Sequence, residues 1–128
     1  MSEITAPAAP KPVGLYPHAR RAGDLLFLSG IGPRDPATDA IPADFREECR
    51  ACFRNVRLVL EASGARWEDM VDVTVYLTRM AEDFAAYNEE YAAAFATARP
   101  ARTTLGISAL PTPIHIELKV VAVIGGAG

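Results

Sequence analysis

Two residues of this 128-residue chain are of types suited to chemistry on a small acid. Arg102 stands near the start of one apolar run and Glu117 in the middle of the next. A guanidinium presents a planar fork that grips a carboxylate in bidentate fashion, and a carboxylic acid orients a water or moves a proton. Between Ile114 and Val120 the residues alternate, so Ile114, Ile116, Leu118 and Val120 share one face of a strand, and His115, Glu117 and Lys119 share the other. Glu117 is thus a carboxylate inside a strongly apolar strand. It is either a group in a pocket or a solvated outer-face charge. Arg102 comes within its reach if the two strands, joined by a proline-bracketed turn, pair. A structural ion pair, or two unrelated surface charges, is the plainer reading.

Other residues invite the same question. Ser29-Gly30 closes the apolar run Leu25 to Ser29, and glycine there permits close approach by a ligand or another chain. Asn88 is the odd polar member of a helical stripe made by Phe84, Tyr87, Tyr91 and Phe95, and reads as a core amide bonded to a neighbouring backbone or loop, or as a substrate contact. Cys49 and Cys52 form a CRAC sequence with the look of a redox or zinc half-site. Both fall on the apolar stripe of an expected helix, no second cysteine pair exists, and His18 and His115 are far away. Two buried thiols behaving as small hydrophobes is the reading adopted, with no metal.

The elements that must position these residues follow from composition and periodicity. The length suits one domain with a single core. Half of the residues are apolar and 23% are charged, as in an ordinary globular protein and unlike a disordered chain. A net charge of −3 with scattered Lys and Arg offers no footprint for nucleic acid or an anionic membrane. Neither a leader-like start nor an apolar run of about 20 residues is present, so a cytoplasmic location is expected.

Residues 1–12, rich in Ala and Pro, are expected to be a flexible tail, and 13–125 a single domain. A hairpin is expected around Ala22-Gly23-Asp24, then a proline-rich loop from Ile31 to Pro42. A helix is expected from about Asp44 to Ser63, ended by Gly64 in a left-handed conformation. Val71, Val73, Val75 and Leu77 alternate with polar residues in a half-buried strand, and a second helix is expected over roughly Glu82 to Ala98. Two more strands follow, and the final GGAG is expected to be flexible.

Two helices cannot cover both faces of a sheet of five or six strands, so they pack on one face and leave the other bare. That bare face carries Val121 and Val123 beside Glu117, and an exposed apolar sheet face points to a homo-oligomer with sites at its subunit boundaries.

Taken in order, several pieces resemble the RidA (YjgF) family of small enamine and imine deaminases. They are a leading Gly14-x-Tyr16, GDLLFLSG, NVRLVLEASGA, DVTVYLTRMAEDFAAYNEEYAAAF, RPARTT, ALP and IHIEL, and they span Gly14 to Val123. The resemblance implies an α+β, chorismate-mutase-like fold with a mostly antiparallel sheet, assembled as a homotrimer with sites between subunits. It implies a hydrolase of C–N bonds that needs no cofactor and takes a small carboxylate substrate. Arg102 matches the arginine that holds the substrate carboxylate, and Glu117 the acid that positions the hydrolytic water. Tyr16, Ser29, Gly30, Ile31, Asn88 and Thr104 fall on positions that line or support the family's site.

The chain also departs from the family's pattern. Members acting on short 2-iminoacids usually carry SGQ where this chain has Ser29-Gly30-Ile31, Thr104 stands where many have Cys or Ser, and Lys119 where the residue is often acidic or small. YPHARRAGD, PARTT and IELKVVAV look instead like the branch containing 2-aminomuconate deaminases of aromatic-compound degradation. A dicarboxylate enamine needs a second cationic contact, for which His18, Arg20, Arg34 and Lys119 are the candidates. A general 2-iminobutanoate/2-iminopropanoate deaminase and a non-catalytic trimer that binds small carboxylates are the alternatives, and the RNA-cleaving activity sometimes attached to the family is disfavoured by the acidic balance.

Overall fold

The computed structural model describes residues 2–124, so the expected flexible GGAG end lies outside the described residues. The elements run β1 (Ser2–Ile4), β2 (Ala19–Ala22), β3 (Leu25–Leu28), α1 (Phe45–Ala62), β4 (Met70–Leu77), α2 (Met80–Ala94), β5 (Ala101–Gly106) and β6 (Ile116–Val123). They build one six-stranded sheet in the order β1-β2-β3-β6-β4-β5, with both helices on one face. Every pairing is antiparallel except β4 with β5, which α2 connects as a parallel unit. The α+β architecture expected from the sequence is therefore present, with a mixed sheet.

Helix α1 starts where Asp44, in an extended conformation, accepts a hydrogen bond from the Glu47 amide at 3.1 Å. It ends at Ser63, and Gly64 turns the chain away at φ +79, a conformation that costs a side-chain-bearing residue about 1–2 kcal/mol. Its inner face, including Cys52, Val56, Val59 and Leu60, is fully buried against Ile116, Leu118, Val120 and Ala122 of β6 and Val73 and Val75 of β4. Each such aliphatic side chain contributes roughly 1.5–3 kcal/mol of burial. Both cysteines are free and buried: Cys52 donates to the Ile31 carbonyl at 3.1 Å, and burial pushes the Cys49 thiol up to about 12. They are core residues, as expected.

Helix α2 is fastened to α1 by aromatics. Tyr91 stacks on Phe95 at 3.9 Å, and Phe53 meets the edges of both rings. The Trp67 indole donates to the Ala94 carbonyl at 3.0 Å, satisfying one of the acceptors left over at the helix end. Among the described residues no helix is long and apolar enough to cross a membrane.

Three expectations are corrected. Strands β5 and β6 do not pair, because β4 lies between them: the α2 crossover returns β5 parallel to one edge of β4, and β6, buried at alternate residues, takes the central place between β4 and β3. Val71 is not on the buried stripe of β4. A register shift between Met70 and Asp72 turns it outward, and it is 43% exposed. Of the flexible tail expected over 1–12, the described residues 2–12 form an edge strand and a strap. β1 pairs with β2, and Ala6 and Ala9 join the core. Small residues without apolar alternation give no strand signal, so the boundary at Val13 does not hold.

Leu118→Ala is expected to destabilise the fold by about 2–5 kcal/mol, as cavity-forming core substitutions do, and Gly64→Ala by about 1–2 kcal/mol. Chemical denaturation of the two variants checks both the magnitudes and their order.

Candidate active site

The alternation along β6 delivers what the sequence expects of it: Ile116, Leu118, Val120 and Ala122 are fully buried under the helices, while Glu117, Lys119, Val121 and Val123 are half-buried on the bare face. Glu117 lies against the chain leaving β3. A Cβ placed on Gly30 would sit 2.7 Å from Glu117 Oε2 and 2.8 Å from its carboxyl carbon, so only glycine leaves the carboxylate this position. The neighbour whose approach Gly30 permits is thus a side chain of its own protein.

The loop after Gly30 is fixed from two sides. Ile31 and Leu118 exchange backbone hydrogen bonds of 2.8 and 2.9 Å, a single rung beyond the named strands. Asn55, fully buried in α1, donates to the carbonyls of Gly32 at 2.9 Å and Arg34 at 2.7 Å. The opposite wall comes from the N-terminal strap, which His18 holds. Its Nδ1 accepts from the Ala6 amide at 3.0 Å and its Nε2 donates to the Pro10 carbonyl at 2.7 Å, an arrangement that places the single ring proton on Nε2. Ser29 donates to the Pro17 carbonyl at 2.7 Å, and the Tyr16 hydroxyl accepts from the Val13 amide at 3.2 Å.

Together these segments enclose a cavity of about 70 Å³. The strap from Ala9 to Val13 and Tyr16, the run from Ser29 to Arg34, Thr112 and Ile114, and His18 and Glu117 line it. Burial alone raises the Glu117 pKa, and among the described residues none donates to its carboxylate. Lys119, two residues along the same face, has its pKa lowered by burial and donates to the Leu28 carbonyl. An ion pair between them would lower the acid and raise the amine, so the two are neighbours and not partners. No group of three or more His, Cys, Asp or Glu side chains able to hold a metal ion occurs among the described residues.

Arg102 lies elsewhere. In register it stands beside Val73, while Glu117 stands beside Tyr76, and these two positions of β4 point to opposite faces. The guanidinium extends over the rings of Tyr91 and Tyr87, 4.7 and 5.4 Å from their centres, and its Nη1 donates to Asn88 Oδ1 at 2.9 Å. Thr104, next but one along β5, shares a 2.9 Å hydrogen bond with the Tyr87 hydroxyl. Burial raises both tyrosines, Tyr91 to about 12, so the platform under the cation stays neutral. Asn88 is exposed and orients an arginine, so its reading as a core amide is corrected.

The candidate residues thus divide into two groups on one chain. An acid group gathers Glu117, Gly30, Ser29, Ile31, Tyr16, His18 and Arg34 around the cavity. An arginine group gathers Arg102, Asn88 and Thr104 over the α2 tyrosines, on the exposed edge strand β5. The condition on which Arg102 would come within reach of Glu117 in one chain, that their strands pair, is not met, because β4 separates the strands and sets the two residues on opposite faces.

Of the four candidates for a second cation, His18 has both ring nitrogens engaged and Lys119 is tied to a carbonyl. Arg20 is exposed beside Phe27, away from the cavity, and Arg34 lines it. Sequence reasoning missed the strap as a wall and Tyr87 and Tyr91 as the bed of Arg102. Their four-residue spacing was visible, but it reads equally as core.

A family model described as Endoribonuclease L-PSP matches residues 6–124. A RutC family protein of Pyrococcus horikoshii is 41% identical over 115 residues, covering 89% of this chain and 90% of that protein. The 2-iminobutanoate/2-iminopropanoate deaminase of Dermatophagoides farinae is 35% identical over 122 residues, 94% of each chain. Among solved structures, E. coli TdcF with bound serine superimposes with a TM-score of 0.92 at 30% identity, covering 98% of this chain and all of that one.

Glu117 is expected to titrate above the ordinary glutamate value of about 4.3 when followed by carboxyl carbon NMR. Because its folded pKa is raised, the stability it contributes is present below the unfolded value and lost as pH rises through the folded one. The melting temperature of Glu117→Gln should therefore gain on the wild type as pH rises through that window, a difference that thermal melts across pH measure.

Proposed function

The chain belongs to the Endoribonuclease L-PSP (RidA/YjgF) family, and from that premise we propose that it hydrolyses small 2-imino or enamine carboxylates to the 2-oxo acid and ammonia. The observation that carries the reading is Glu117: a desolvated carboxyl group, accommodated by Gly30, on the wall of a small cavity. Burial holds the pKa of an acid so placed above that of a solvated one, which favours its taking up and returning a proton.

We take the working form to be a homotrimer in which the arginine group of one subunit meets the acid group of the next. The bare sheet face exposes Leu25, Phe27 and Leu105, and β5 is an exposed edge strand, both features that a second copy would cover. In that crevice the fork of Arg102, held by Asn88, grips the substrate carboxylate. An enamine first takes a proton on carbon to become the imine. Water then adds to the imine carbon while Glu117 accepts one of its protons and returns it to nitrogen, giving a carbinolamine. The hydroxyl proton then passes through the same carboxylate to the amino group as the C=O forms and the C–N bond breaks, releasing ammonia. Ser29, Tyr16, Ile31 and Thr104 shape and brace the two walls.

The substrate class rests on the relatives. One is named a 2-iminobutanoate/2-iminopropanoate deaminase and another holds serine, so short 2-iminoacids are the first reading. A dicarboxylate enamine such as 2-aminomuconate is the second, supported by the placement of Arg34 on the cavity wall. The rival to turnover is a trimer that only binds such acids. RNA fits poorly with a net charge of −3 and Lys and Arg scattered along the sequence.

Ammonia release from an imine generated in situ is expected to show a raised KM in Arg102→Ala. Glu117→Gln is expected to show kcat lower by about 10² to 10⁴ with carboxylate binding retained. Equal activity in all three proteins would remove these roles, and binding without turnover in the wild type would leave the binder.

A further inference from the structure

The loop that carries Arg34 is built more firmly than a surface loop requires. Asn55 holds the carbonyls on either side of Pro33, at Gly32 and at Arg34 itself, from the buried face of α1. Beyond Arg34 the chain makes a tight turn closed by two 2.8 Å backbone bonds, Asp35 N–H to the Ala40 carbonyl and Asp39 N–H to the Asp35 carbonyl. Asp39 is held there at φ 65, in the left-handed region that few non-glycine residues occupy. The turn presents the Asp39 carbonyl to Arg34 Nη1 at 2.8 Å and its carboxylate at 3.3 Å, so one guanidinium nitrogen is anchored and the side chain is 23% exposed. Among the described residues nothing accepts from its Nε or Nη2.

We propose that Arg34 is a specificity residue that receives the distal carboxylate of a dicarboxylate imine or enamine, so that the site takes short diacids in addition to the monoacids. This rests on the deaminase reading of the same cavity. A fork fixed at one nitrogen has lost much of its rotamer freedom before the ligand arrives, and its remaining donors suit a carboxylate. The other cations do not meet these conditions: His18 and Lys119 are already bonded, Arg20 is outside the cavity, and Lys11, though on the cavity wall, is exposed on the strap.

The test compares kcat/KM for the imines of glutamate and of 2-aminobutanoate, generated in situ, in the wild type, Arg34→Met, Arg34→Lys and Lys11→Met. The diacid-to-monoacid ratio is expected to fall by about 10- to 100-fold in Arg34→Met, the loss of a charge-assisted hydrogen bond, and to recover partly in Arg34→Lys. Lys11→Met should keep the ratio. An unchanged ratio in Arg34→Met, or an equal fall in Lys11→Met, overturns the assignment. If Arg34→Met does not fold, Arg34→Gln, which keeps a polar side chain without the charge, takes its place. Calorimetric titration with 2-oxoglutarate and 2-oxobutanoate needs no turnover. Should neither imine be hydrolysed, the deaminase reading fails by itself, and selective loss of 2-oxoglutarate binding in the Arg34 variant upholds the inference, while equal loss or none overturns it.

Discussion

The structure depends on what strand β6 is made to do at once. It is the central strand of the sheet, hydrogen-bonded on both sides, and its inner residues form the floor on which α1 packs. Those requirements fix its register, since a slip of one residue would bring Glu117 and Lys119 under the helices and turn Leu118 outward. With the register fixed, Glu117 lies on the bare face, and Gly30 leaves room for its carboxylate there. The stability of the core and the position of the acid are therefore the same fact seen from two faces of one strand. Burial shifts Glu117 and Lys119 each toward its neutral form, which identifies that face as partly dry even in a single chain.

Much of this was legible because it depends on local patterns with strong physical causes. Alternation on β6 gave the facing of Glu117, Asp44 and Gly64 marked the two ends of α1, and the turn at Gly23 gave the β2–β3 hairpin. What was not legible depends on relations between distant segments. Nothing in Pro100 to Val123 tells that β4 will insert between β5 and β6, because strand order is settled by the α2 crossover and by which strand most needs burial. The strap was hidden for another reason. It is held by backbone amides and carbonyls on the two nitrogens of His18, and Ala and Pro side chains carry no periodic signal of such bonds.

The separation of Arg102 from Glu117 has a physical sense that their meeting within one chain would not have had. A guanidinium and a carboxylate in contact form an ion pair, the acid's pKa falls, and the two groups satisfy each other instead of a ligand. Here the cation rests on two tyrosine rings and Asn88, the acid rests in an apolar wall, and neither neutralises the other. Rigid elements hold both, α2 beneath the arginine and the sheet centre beneath the acid. In the proposed trimer, two preformed groups would come together with a substrate between them.

The same logic distinguishes the two arginines nearest to function. Arg102 sits on regular structure over aromatic rings, a bed made of side chains the fold needs in any case. Arg34 is held by a turn with a left-handed aspartate and by the fully buried amide of Asn55 on the neighbouring carbonyls. Backbone strain at Asp39 costs of order 1 kcal/mol or more and persists only where surrounding bonds enforce it. A loop that accepts such a cost while holding an arginine on a cavity wall differs from an ordinary surface connection, in which an arginine would lie free in solvent. The fold supplies the acid through a requirement of the sheet, and the loop supplies the cation through an arrangement the sheet does not require, so under the proposed function substrate range would change at Arg34 while the acid at Glu117 stayed fixed.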